Sequence, residues 1–142
     1  MNKLTPEFSD HKASAFPVSV KGIVYFRGQF ALLKNEREEW ELPGGKLETD
    51  EQPEYCVVRE IKEELGLTVT LSRIIDTWVY DIQGRIKVLI ITYLCEECEG
   101  LHLAKVSSEH KELKFFTLAD LPHLNMPAGY RTVSYTHLRA HE

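Results

Sequence analysis

Between Gly45 and Leu67, Arg59 and four of the six glutamates, Glu51, Glu60, Glu63 and Glu64, stand at fixed distances around a turn and a helix, and this segment constrains the chain more than any other. It reads GKLETDEQPEYCVVREIKEELGL. A helix turns about 100° per residue. Over about Asp50 to Leu65 that places Val57, Val58, Ile61 and Leu65 on one stripe, the kind of face that packs on a core. Glu60, Glu63 and Glu64 share a neighbouring arc, with Glu60 and Glu64 at the four-residue spacing that sets side chains next to each other. Like charges there repel, so the arc calls for something positive over it, and an oxygen-only cluster suits a hard cation such as Mg2+ or Mn2+. Standing alone, the cluster would read as a solvated acidic face balanced by Arg59 and Lys62.

The flanking residues punctuate the same helix. Thr49 and Asp50 are expected N-caps, Glu51 lies where a helix N-terminus favours negative charge, Pro53 suits the first turn, and Gly66 ends the helix. Upstream, Trp40-Glu41-Leu42-Pro43-Gly44-Gly45 reads as a strand running into a turn whose glycines let backbone approach a ligand.

Taken in order, Gly45, five residues, Glu51, seven residues, Arg59-Glu60, Ile61, one residue, Glu63-Glu64, one residue, Gly66 and Leu67 fill every specified position of the Nudix box. The chain therefore resembles the Nudix hydrolase family over about Phe16 to Arg131. The resemblance implies an α/β/α sandwich with a mixed central sheet and a Mg2+- or Mn2+-dependent split of a diphosphate linkage in a small nucleoside diphosphate derivative. It implies metal binding by Glu60, Glu63, Glu64 and the Gly44 carbonyl, with Glu60 activating water and Glu64 beside it. Arg59 would pair with Glu51 to hold helix and loop in register, with Gly45 and Gly66 as structural members of the box. Some relatives take a base or a further ligand from a distant loop; Glu112 is the candidate here and Glu109 the reserve. A nucleotide-sensing module without turnover is the alternative, and its expected mark, loss of box carboxylates, is absent. A prenyl diphosphate isomerase would need further Cys and Glu motifs that the sequence lacks.

At 142 residues and 43% hydrophobic content the chain is expected to form one domain. No apolar run approaches the roughly 20 residues of a membrane span, and MNKLTPEFSDHK lacks the apolar centre of a signal peptide, so a cytoplasmic protein is expected. A net charge of −5 argues against nucleic-acid polymers and for a metal bridge to an anionic substrate. Pairing of two copies, common in the family, stays open.

Strands are expected at Val18 to Phe26, Gln29 to Lys34, Val69 to Ile75, Thr77 to Ile82 and Ile86 to Cys95, with turns near Arg27-Gly28 and at Gly84. Trp78 and Tyr80 share a strand face and could stack on a base, although aromatic residues on strands are more often core. Arg27, Lys46 and Arg85 could meet phosphates. Cys95 and Cys98, with His102 and His110 downstream, have a weak zinc spacing; free thiols are the expectation.

The final ten residues, VSYTHLRAHE, break the pattern and read as one frame of a transposase sequencing adapter. The native domain is accordingly expected at 1–132, with 133–142 a foreign tail that replaces most of a C-terminal helix beginning near Pro127. His137 and His141, four apart, are then no metal pair. An identical VSYTHLRAHE in the parent gene would refute the adapter origin.

Overall fold

A computed structural model describes residues 13–110 and 112–139. The expectations for MNKLTPEFSDHK and for His141 fall outside them. Among the described residues eight strands form two sheets. In the first, the order β5-β1-β7-β6 joins β1 (Val18–Ile23), β5 (Gly44–Lys46), β6 (Leu71–Ile82) and β7 (Ile86–Cys95). The sheet is mixed: β1 runs parallel to β7 and antiparallel to β5, and β6 is antiparallel to β7. The second is antiparallel, with β3 (Gln29–Lys34) pairing β2 (Tyr25–Phe26), β4 (Trp40–Glu41) and β8 (Glu112–Phe116).

Strand alternation builds a core on each side. Val20, Val24, Ala31 and Leu33 pack beneath Val57, Ile61 and Leu65 of α1 (Pro53–Leu65). Ile23, Phe30 and Leu32 pack in a second core with Leu121, Met126 and Tyr130, the last from α2 (Ala128–Arg139). Helix, sheet and helix are thus layered as an α/β/α sandwich.

Several boundaries differ from expectation. The strand expected over Val18 to Phe26 is two, β1 and β2, which part at Val24 and join different sheets. α1 starts at Pro53, with Gln52 as its N-cap and no side-chain cap bond, because the proline ring presets the first helical φ. Asp50 instead occupies a turn at φ 68°. The two strands expected between Val69 and Ile82 are one strand, β6, which passes a register shift between Ile74 and Asp76 without breaking. At the C-terminus α2 runs through position 133 to Arg139, and Ser134 is fully buried. No helix among the described residues is long and apolar enough to cross a membrane.

Candidate active site

α1 is short and amphipathic, and burying its apolar stripe aims the adjoining acidic arc at β5. There a cavity of about 440 Å³ opens. Gly44, Gly45 and Lys46 of β5 line it, with Glu60 and Glu64 of α1, Glu41 of β4, residues 35–37 of the β3–β4 hairpin, and Glu109 and His110 from the segment before β8.

Glu64 is only 4% exposed. Its Oε1 accepts the Gly44 N–H at 2.8 Å, and its Oε2 lies 3.6 Å from His110 Nδ1, an ionic contact too long for a hydrogen bond. Burial pushes the Glu64 carboxyl up to about 7, against the pull of Lys21, the Gly44 N–H and His110. Burial also raises Glu60, partly offset by Arg59. Glu41 goes the other way: burial alone would raise it, but the Lys21 ammonium and hydrogen bonds from His110 and Asn35 bring it to about 2. Lys21, 6% exposed on β1, is raised although burial opposes it, because Tyr130, Glu41, Glu64 and Glu60 surround it.

Arg59 organises the outer side of the helix. Its Nε and Nη2 donate to the two Glu51 oxygens at 2.6 and 3.0 Å, a fork-on-fork geometry, and Nη1 donates to Glu60 at 3.1 Å and Glu63 at 3.2 Å. The Arg59 guanidinium holds Glu51 down at about 2. Glu63 is drawn outward by the same guanidinium, its side chain is 58% exposed, and it does not line the cavity. Among the described residues no three His, Cys, Asp or Glu side chains form a ready metal cage. The donor chemistry nevertheless fits a hard cation. Glu60, Glu64 and the Gly44 peptide share one opening, and the wall carries five carboxylates against Arg37, Lys46 and His110.

The remaining sequence candidates are dispersed. Glu112 sits on β8 opposite Lys34, 3.6 Å from its Nζ and 3.4 Å from that of Lys114, outside the lining; Glu109 is within it. Trp78 and Tyr80 stack on each other at 5.2 Å and meet Tyr130 edge-on at 5.1 and 6.1 Å, so they belong to the second core. Tyr80 is still near the cavity rim, where burial raises its phenol against the pull of the Arg37 guanidinium. Arg27 lies over the Phe26 ring at the β2–β3 turn, and Arg85 is exposed at the β6–β7 turn, both away from the cavity. Gly66 closes α1 in the left-handed conformation. Cys56, Cys95 and Cys98 are free thiols, and His110 stands with Glu41 and Glu64 rather than with the cysteines.

Asn35, Arg37, Glu41 and Lys21 are site residues that sequence reasoning missed. Only Glu41 left a signal: an acid between Trp40 and Leu42, whose burial in one core turns the intervening side chain the opposite way.

A mixed α/β sandwich with an acidic box helix beside a glycine-bearing strand defines the Nudix class of fold. The NUDIX domain family model matches residues 15–136, and the chain belongs to that family. It is 48% identical over 46 residues to the 8-oxo-dGTP diphosphatase of Proteus vulgaris, a match covering 32% of this chain and 41% of that protein. It is 33% identical over 112 residues to the ADP-ribose pyrophosphatase of Methanocaldococcus jannaschii, covering 75% of this chain and 65% of that protein. Both matches thus span less than two thirds of the relative's length. The crystal structure of the MutT protein from Methanosarcina mazei Go1 superposes with a TM-score of 0.77 at 25% identity, over 90% of this chain and 96% of that one.

Proposed function

We propose that this protein is a pyrophosphohydrolase that splits the diphosphate linkage of a small nucleoside diphosphate derivative, of the nucleoside triphosphate or ADP-ribose class, with Mg2+ or Mn2+. The observation that carries the reading is the joint placement of Glu60, Glu64 and the Gly44 peptide at a cavity that also holds Lys46 and Arg37. Glu60, Glu64 and the Gly44 carbonyl would hold the metal, with Glu63 joining once turned from Arg59. Bound there, a divalent ion neutralises diphosphate oxygens and lowers the pKa of a water.

The chain's own groups supply the rest. Glu60 takes the proton of the attacking water, being buried enough that its carboxyl is raised. Lys46 and Arg37, the two basic side chains of the lining besides His110, meet substrate phosphate, and Glu109 is the acid that the 104–110 segment brings to the same cavity. Arg59 acts on the reaction by fixing the loop at Glu51. The names of the two relatives support the two substrate classes. Three free thiols support work in a reducing, cytoplasmic compartment.

The test is a panel of 8-oxo-dGTP, unmodified deoxynucleoside triphosphates, ADP-ribose and nucleotide sugars with Mg2+, Mn2+ or chelator. Metal-dependent release of a nucleoside monophosphate is expected from at least one of them. Saturable binding with no product from any would establish the sensing module instead.

A further inference from the structure

Glu41 lies outside the box, yet it is among the most completely held carboxylates of the cavity. Its Oε1 accepts from Asn35 Nδ2 at 3.2 Å, and its Oε2 is 3.1 Å from His110 Nε2. The Asn35 amide cannot turn round, because its Oδ1 already accepts the N–H groups of Arg37 and Glu39 at 2.9 and 3.1 Å. His110 is in turn 10% exposed, and its Nδ1 has no hydrogen-bond partner while facing Glu64 Oε2 at 3.6 Å. Asn35 and the neighbouring Lys21 ammonium already compensate the buried Glu41 charge, so its further contact with His110, a ring that reaches on to Glu64, is not needed to satisfy it. The arrangement makes sense as a means of placing the imidazole between the two carboxylates.

Resting on the hydrolase reading above, we propose that Glu41 is a positioning residue. Through His110 it fastens the 104–110 segment over the cavity, which sets Glu109 in the wall and keeps the second oxygen of Glu64 from swinging away. Four parts of the fold are linked in one chain of contacts: the β3–β4 turn at Asn35, β4 at Glu41, the pre-β8 segment at His110 and α1 at Glu64. Only the last of these carries a box carboxylate.

Glu41→Gln can keep the bond from Asn35, but its amide nitrogen can face His110 only by donating, which requires the ring to give up the Nε2 proton that the Glu41 carboxylate accepts. His110→Gln retains a donor for Glu41 and lacks the ring atom facing Glu64. Each variant is expected to lower kcat about 10- to 100-fold on the panel nucleotide the parent hydrolyses, the range typical of groups that orient metal ligands. KM should change less than about threefold. The double variant should be no slower than the slower single one, as for residues acting in one chain. Multiplied losses in the double variant, or parental kcat with only a lowered Tm, would overturn the proposal. A readout independent of turnover keeps the two ideas apart: 15N correlation spectra of the His110 ring in the metal-free protein should show Nε2 shifted by Glu41→Gln. An unmoved signal overturns the coupling, whereas a parent inactive on every nucleotide with the shift present overturns only the hydrolase reading.

Discussion

Glu64→Gln is expected to remove at least about 100-fold of turnover while making the metal-free protein more stable above pH 7. On the proposed reading the loss should exceed the tenfold to hundredfold effect usual for an outer metal-site partner, because Glu64 would then be a ligand and its charge would leave the ligand set itself. The gain in stability follows from the raised carboxyl. Unfolded, Glu64 titrates near the ordinary 4.5; folded, it titrates near about 7. Between these values the folded state binds the extra proton, so stability falls as pH rises through the window and stays reduced above it, by about 3 kcal/mol. Glutamine carries no charge and can still accept the Gly44 N–H through Oε1. Thermal unfolding in chelator should show the variant melting several degrees above the parent at alkaline pH and level with it below about pH 4.5, where both are neutral. Added Mg2+ should raise the parent's Tm and leave the variant's unchanged. Equal melting across the whole range, together with parental turnover, would remove Glu64 from the metal site. Glu41 contributes with the opposite sign: its carboxyl is lowered to about 2, so its stabilisation is present above the ordinary 4.5 and lost as pH falls toward 2.

The neighbouring glycines should fail in different ways. Gly44 has φ 142°, and a Cβ there would stand 2.0 Å from the Val20 carbonyl oxygen and 2.8 Å from Lys21 Cα. Both are backbone atoms of β1, which cannot yield without breaking the pairing of β1 with β5. Gly44→Ala is therefore expected to lose about 3 kcal/mol or more and to fold poorly. At Gly45 the obstacle is the Glu60 carboxyl, with three atoms 2.4 to 2.6 Å from the added Cβ. That group is the end of a flexible side chain and can turn aside, so Gly45→Ala should keep its fold and lose tenfold or more of its turnover. Circular dichroism beside a turnover assay separates the two, and a stable, active Gly44→Ala would contradict the geometry.

Elements governed by local rules were legible from residues alone. Gln29–Lys34 and Ile86–Cys95 have the expected bounds, and α1 ends at Gly66 because its stripe and its cap agree. What the chain does with distant partners was not legible. Nothing local shows that β6 continues through Asp76, since the irregularity that carries it is defined against β7. Glu112 was a reasonable catalytic candidate until the antiparallel register of β8 on β3 set it opposite Lys34. The acidic arc on α1 was readable, but its division was not: Arg59 takes Glu63 to the surface while the Gly44 N–H keeps Glu64 inside. Asn35, Glu41 and His110 come from three separate segments, and no spacing in the sequence announces their meeting.

The parallel run of β1 against β7, which sets Val18 beside Leu89 and Ile23 beside Leu94, has a kinetic corollary. Pairings between remote segments form slowly because a long loop must close before they reward the chain. α1 can wind early from neighbouring residues, yet Glu64 meets Gly44 only after β5 has docked on β1, inside a sheet completed by the far hairpin. Recovery of helical signal should thus run ahead of recovery of turnover in a refolding time course, with the working cavity among the last parts of the molecule to mature.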